Sequence, residues 1–317
     1  MTSKFDADST ADDVLANRDL NGRHFFITGT ASGIGLETAR ALASRGASIL
    51  GAVRSFQKAE QAASQIRQAG GSLELVEMDL ASQRSVRLAA DKLVAAGHRF
   101  DAIIANAGIM ATPFEKTADG FESQFGVNHL GHFTLINALA PLVVDNGRVI
   151  VLASQAHRVA DIDLDDPNFD TQPYDPFIAY GRSKTANILF ALEFDRRHQV
   201  RGVRAASVMP GNAHTDLQRH FSPEALGGLL EAAGKARAET GLPPKELKSV
   251  PEAAATSVWA AVVADKDAIG GRYLEDCAIA PVNATPNPFA DGVQPYALDV
   301  ERAGRLWDKS EALLEAV

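Results

Sequence analysis

The stretch HFFITGTASGIG at residues 24–35 constrains this chain more than any other. A short apolar run ends at Thr28-Gly29, turns through small residues and enters an amphipathic segment at Gly33-Ile34-Gly35. A buried strand passing through a glycine turn into a helix is the arrangement that cradles a dinucleotide phosphate. Glycine lets the backbone approach the pyrophosphate, and the first free N–H groups of the helix attract its charge. Gly29, Ser32, Gly33, Ile34 and Gly35 are the first candidate cofactor-binding residues. Such glycines also serve simply to turn a chain, so the segments that follow have to decide.

Those segments repeat the pattern. Strands are predicted at 24–28, 47–53, 72–78, 101–108, 148–154 and 203–211, with helices at 34–45, 56–69, 82–96, 119–140 and 179–198 between them. Strands alternating with helices of this length imply a mostly parallel sheet covered on both faces. Right-handed crossovers then give a single Rossmann-like, doubly wound α/β domain. Residues 1–22 read as an N-terminal arm and 23–284 as the domain. Within it, the Gly-, Pro- and charge-rich stretch 212–250 reads as a substrate lid, with one helix near 223–233. An amphipathic segment at 251–263 leads to a final strand at 272–274. Residues 285–317 form a C-terminal extension ending in a helix over 301–315, whose Leu306 and Trp307 suit packing on the core or on a partner subunit.

Composition removes several function classes. With 317 residues, 46% of them hydrophobic, the chain can build one substantial core. A net charge of −9 argues against a general nucleic-acid or anionic-membrane surface. The single cysteine, Cys277, excludes an intrachain disulfide and reads as a small buried hydrophobe. No apolar run reaches the length of a membrane span, and the opening MTSKFDADSTADD lacks a signal-peptide core; a cytoplasmic protein is expected.

Two further pairs of residues carry chemistry by residue type. Arg54 follows the second strand, where a carboxylate would bond the adenosine ribose of NAD and repel a 2′-phosphate. Its guanidinium instead offers a fork of donors to that phosphate, and Lys58 adds charge one turn on. A solvated basic pair at a helix start is the plainer reading. Tyr180 and Lys184 lie at i,i+4 and share one helix face. A free phenol is a poor acid–base group at neutral pH, and a neighbouring ammonium lowers its pKa.

In this order the motifs resemble the short-chain dehydrogenase/reductase family over about residues 20–280. NHLGHF at 128–133, the His157-Arg158 pair, AYGRSKTANILF at 179–190 and GGRYLEDC at 270–277 resemble its retinol-dehydrogenase-like and WW-domain-oxidoreductase-like branch. The resemblance implies a catalytic set of Asn128, Ser154, Tyr180 and Lys184, in which Ser154 polarises a carbonyl oxygen and Asn128 holds a water in a relay to the lysine. Lys184 also reaches the nicotinamide ribose. It implies further cofactor contacts at Asp79-Leu80, which face adenine, at Asn106-Ala107-Gly108 and at Pro210, Gly211 and Thr215. Asp79 serves equally as a helix cap, and Asn128 as a satisfied core amide. Ser32 stands where many NADP-preferring relatives carry a basic residue.

The added stretch between Ser154 and Tyr180, DIDLDDPNFDTQPYDPF, fits this branch. Its Phe169, Tyr174 and Phe177 either border the substrate mouth or pin the loop to the core. His214 reads as a solvent-facing loop residue, and His129 and His132 lack the companions of a metal site. The expectation is an NADP(H)-dependent oxidoreductase, NAD(H) being possible, that interconverts a small-molecule carbonyl compound and an alcohol. Carbonyl reduction of an apolar or mixed substrate is the favoured direction, with Leu217, Phe221, Leu226, Leu229 and Leu230 available in the lid. A homodimer or homotetramer through the helices at 119–140 and 179–198 is expected. The alternatives are an NAD-dependent alcohol dehydrogenase and a non-catalytic nucleotide-binding redox sensor or scaffold.

Overall fold

The apolar runs pair as the alternation predicts. The computed structural model describes residues 4–218, 223–239, 241–243, 245–283 and 287–317, without the side chains of 223–226, 229 and 230. Phe221 and the side chains of Leu226, Leu229 and Leu230 therefore lie outside the described residues.

Eight strands form one sheet: β1 (His24–Thr28), β2 (Ser48–Val53), β3 (Ser72–Glu77), β4 (Phe100–Ala105), β5 (Val143–Leu152), β6 (Arg204–Met209), β7 (Tyr273–Glu275) and β8 (Ala278–Ile279). Their order is β3-β2-β1-β4-β5-β6-β7-β8, parallel throughout except for β7–β8. Phe25 faces Ile49 of β2 on one side and Ala102 of β4 on the other, so the order reverses at β1 and opens a crevice at the strands' carboxyl ends.

The helices, in chain order, are α1 (Ala11–Val14), α2 (Gly33–Ala43), α3 (Phe56–Gln68), α4 (Gln83–Ala95), α5 (Ser123–Phe125), α6 (Gly131–Leu139), α7 (Pro176–His198), α8 (Pro223–Glu239), α9 (Val250–Val258), α10 (Lys266–Ile269) and α11 (Val300–Glu315). Caps fix several starts: Ser82 accepts from the Ser85 N–H, Asp175 caps α7 ahead of Pro176, and Ser249 and Glu252 close a capping box. One apolar layer joins the sheet to α4, α6, α7 and α11, and a second joins it to α1, α2, α3 and α9. In the first layer Trp307 of α11 packs 4.8 Å from Phe133 and 5.8 Å from Phe190, ring centre to ring centre. The chain's own last helix thus covers part of the apolar surface of α6 and α7.

Four elements depart from the sequence reading. The helix expected from 119 starts at Ser123 and makes a π turn at Gly126–Leu130 before α6. Gly131 presses so closely on Leu80 that a Cβ there would lie 2.5 Å from its carbonyl oxygen. Strand β5 begins at Val143 instead of 148, because a register shift opposite Phe100 and Ala102 accommodates the polar Asp145-Asn146-Gly147. Helix α8 runs on to Glu239. The β7–β8 hairpin turns on Asp276 (φ 52°) and Cys277 (φ 55°), two left-handed residues with no glycine to announce them. Lys248 holds Asp276 at 2.6 Å, and the Cys277 N–H donates to Thr256 Oγ1 at 3.2 Å.

Candidate active site

At the carboxyl ends of β1 to β6 lies a cavity of about 1200 Å³. Gly29, Ser32, Gly33, Ile34, Gly35, Arg54, Asp79, Leu80, Asn106, Ala107, Gly108, Ser154, Tyr180, Lys184, Pro210, Gly211 and Thr215 all line it. Gly29 and Thr215, 186 positions apart in the chain, meet there because most of these motifs follow a strand, while Tyr180 and Lys184 are presented by α7.

The glycine turn suits a dinucleotide on steric grounds. Gly29 and Gly33 have φ of +76° and +59°, in the left-handed region. A Cβ on Gly35 would lie 2.3 Å from the Gly29 carbonyl oxygen, so any side chain there would force the turn open. Thr215 closes over the turn, its methyl 3.3 Å from the position a Gly33 Cβ would take, and Ser32 Oγ donates to Asp216 at 2.9 Å. Arg54 stands exposed at the end of β2, at the cavity edge. Lys58 is exposed on α3 outside the lining, so the structure does not bring it together with Arg54 at the cavity. Asp79 accepts the Ala81 N–H at 2.9 Å in the turn ahead of α4, whose cap is Ser82 and not Asp79, and it also borders the cavity.

The Asn106-Ala107-Gly108 turn is held from β1. Thr28 Oγ1 accepts the N–H groups of Asn106 and Ala107 at 3.0 and 2.9 Å, and Asn106 Nδ2 donates to the Thr28 carbonyl at 2.9 Å. Behind it stands His132, which the sequence placed in NHLGHF without a metal role and without naming its partner. Its Nδ1 lies 3.0 Å from the Asn128 carbonyl, an acceptor only, so Nδ1 carries the proton and Nε2 accepts from the Thr28 hydroxyl at 2.9 Å. The repeat of polar residues within an otherwise apolar NHLGHF was the available signal.

At the other wall, burial pushes the Tyr180 phenol up to about 12, opposed by its hydrogen bond with Ser154. Burial pulls the Lys184 ammonium down to about 8. The expected lowering of Tyr180 by Lys184 is therefore corrected. The ammonium sits over the ring face, 5.6 Å from its centre, and donates to the Leu152 carbonyl at 3.0 Å, so desolvation prevails over attraction. Asn128 does not line the cavity. Its Oδ1 accepts the Ile109 N–H at 2.9 Å, and its Nδ2 donates to the Ile109 carbonyl and to Ser183 Oγ at 2.9 and 3.0 Å. It reaches the site across Gly108, whose Cβ position lies 3.1 Å from Asn128 Oδ1 and 3.6 Å from Lys184 Nζ.

Of the inserted aromatics, Phe177 lines the cavity, whereas Phe169 and Tyr174 pack together at 5.2 Å. The Tyr174 hydroxyl bonds the Thr112 carbonyl at 2.9 Å, which pins the loop. The two readings divide between the residues. His214 is exposed and outside the lining. Among the described residues no group of three potential ligands is placed to hold a metal ion, and no helix is long and apolar enough to cross a membrane.

His129, His132 and His157 are buried neutral, with pKa values pulled down to about 3, 4 and 3. Because the folded values lie below the unfolded one, their contribution is complete above about pH 6.5 and is lost as pH falls below it. At pH 5 this amounts to about 2 kcal/mol per histidine as an upper figure. The urea midpoint should therefore fall between pH 7.5 and pH 5, and less steeply in His129→Leu; equal midpoints would exclude this coupling.

An open α/β crevice with a glycine cradle, a half-buried Ser and a buried Tyr and Lys on its facing wall defines a dinucleotide-dependent oxidoreductase. The chain belongs to the short chain dehydrogenase family, whose profile matches residues 23–225. It is 37% identical to the short-chain dehydrogenase/reductase prx1 of Penicillium roqueforti, over 98% of this chain and 91% of that one. It is 36% identical to retinol dehydrogenase 14 of Mus musculus, over 93% and 86% of the two chains. Among solved structures it is similar to an uncharacterized protein from Mycobacterium paratuberculosis, with a TM-score of 0.73, 35% identity and 97% of each chain covered.

Proposed function

We propose that this enzyme is an NADP(H)-dependent oxidoreductase that interconverts a carbonyl compound and an alcohol, working as a carbonyl reductase on an apolar or mixed substrate. The observation that carries the reading is the convergence of Ser154, Tyr180 and Lys184 on one cavity with the glycine turn and Arg54. Gly29 to Gly35, Asn106 to Gly108 and Thr215 are the residues that would hold the dinucleotide, with Arg54 on its 2′-phosphate. Bound there, the nicotinamide supplies hydride exchange and, when oxidised, a positive charge.

The chain's own residues then handle the proton. During reduction the Tyr180 hydroxyl gives its proton to the substrate oxygen, and Ser154 donates a hydrogen bond to the same oxygen as charge develops. Lys184 over the ring stabilises the phenolate left behind. A water between Asn128 Oδ1 and Lys184 Nζ, on either side of Gly108, completes the relay that restores the proton. Oxidation of an alcohol reverses each role. Met110, Pro113, Val159, Phe177, Leu217 and Leu247 give the remaining cavity wall its apolar character.

The test is nicotinamide absorbance during incubation with a diverse carbonyl and alcohol panel, using NADPH and NADH in parallel. NADPH-dependent reduction is expected; an equal or greater rate with NADH would favour the NAD-dependent alcohol dehydrogenase. Tight nucleotide binding without turnover across the panel would favour the sensor. A cytoplasmic homodimer or homotetramer remains part of this reading. Helix α11 packs along α7 and touches α6 through Phe133, covering part of that face, and sedimentation of the full chain would show a single monomeric species if this part is wrong.

A further inference from the structure

Past its last strand the chain returns to the cavity, where Pro288 and Phe289 join the lining. The segment that carries them is fastened by charge. Arg237 of α8 donates through Nη1 to the Phe289 carbonyl at 2.6 Å and to Asp291 at 3.4 Å. Lys245 Nζ bridges Asp291 at 3.1 Å and Glu275 of β7 at 2.7 Å. The second oxygen of Glu275 accepts Arg158 Nη2 at 2.7 Å and the Gly292 N–H at 3.1 Å, and Arg158 Nε donates to the Gly292 carbonyl at 2.8 Å. The Arg158 and Glu275 side chains are only 1% and 5% exposed, so their charges depend on one another.

This chain of charges ends beside the chemistry. His157, next to Arg158, donates from Nδ1 to the Ser154 carbonyl at 2.7 Å. Its Nε2 accepts the Gln294 N–H at 3.2 Å, and the Tyr296 hydroxyl bonds its carbonyl. The same few residues thus fix the backbone of Ser154, the end of α8 and residues 289–296.

We propose that Arg158, Glu275, Lys245, Asp291 and Arg237 form a charge clasp that holds α8 and the C-terminal segment in place as a wall of the substrate cavity. Phe289 is then a specificity-determining residue for carbonyl compounds with an extended apolar substituent, and Glu275 and Asp291 are positioning residues. The inference rests on the proposed function only in taking that wall to face substrate. Nothing in the hydrophobic pattern requires charge here. Apolar contact is non-directional, whereas alternating charges built on the buried Arg158–Glu275 pair specify one geometry for four separate pieces of chain.

The test uses the full-length protein, NADPH and a straight-chain aldehyde series from butanal to dodecanal. Phe289→Ala should lower the ratio of kcat/KM for dodecanal over butanal by about tenfold, the scale of one lost aromatic contact. Asp291→Asn, at a half-exposed position, should raise KM for the long members by about fivefold while kcat changes less than about twofold, and Asp291→Glu should restore the KM. An unchanged ratio, or equal losses of kcat in both Asp291 variants, would overturn the proposal. Hydrogen–deuterium exchange supplies a readout free of turnover. The Gly292 and Gln294 amides should exchange at least about tenfold faster in Asp291→Asn and Glu275→Gln than in the parent, with β1 and β4 unchanged. Equal protection would refute the clasp. If the parent reduces no aldehyde in the series, the carbonyl-reductase reading fails for these substrates, while exchange still decides the clasp.

Discussion

Replacing Tyr180 by Phe should lower kcat by about a thousandfold or more while leaving the NADPH dissociation constant within about twofold. The phenol is the proposed proton donor, and among the described residues that line the cavity Tyr180 is the one tyrosine. The ring itself survives the substitution, so Lys184 keeps both its aromatic neighbour and its bond to the Leu152 carbonyl. Hydride transfer then has to proceed without a proton for the developing alkoxide. Ser154→Ala removes one hydrogen-bond donor instead of the proton and should cost less, about a hundredfold. Equilibrium binding by nicotinamide fluorescence, alongside single-turnover absorbance, separates the two contributions. Retention of full turnover by Tyr180→Phe would remove the proposed mechanism outright.

The second large effect concerns cofactor choice. Arg54→Asp should shift the ratio of kcat/KM for NADPH over NADH by about a hundredfold toward NADH. Two contributions point the same way: loss of a charge-assisted bond to the 2′-phosphate, and repulsion of that phosphate by the new carboxylate. The carboxylate can in addition accept from the free ribose hydroxyls of NADH. Arg54 is exposed, so folding should be little affected and the thermal midpoint should stay nearly constant. Lys58→Ala is the contrast. Because Lys58 lies outside the cavity lining, its loss should change the ratio by less than about threefold. An unchanged ratio in Arg54→Asp would withdraw the assignment of phosphate recognition to this arginine.

The sequence by itself determined the parallel sheet and most of the residues that line its crevice. Residues such as Gly29, Arg54, Asn106, Ser154 and Pro210 each follow a strand, and a parallel sheet brings all strand ends to one edge whatever the details of packing. Tyr180 and Lys184 were legible for a simpler reason, since four residues along a helix set two side chains on one face. Only the tertiary structure decided what these groups experience. The ionisation of Tyr180 depends on how deeply the helix buries it, and burial outweighs the nearby ammonium. The hairpin at Asp276-Cys277 was hidden because left-handed residues other than glycine leave no mark in composition. The motifs that hold His132 and His157 were legible but their partners, 104 and 137 positions away, were not, and the wall formed by Phe289 was hidden because it returns from the far end of the chain. Local pattern encodes periodicity and spacing; which distant polar groups share a proton, a charge or a cavity is set by the packing of the whole chain.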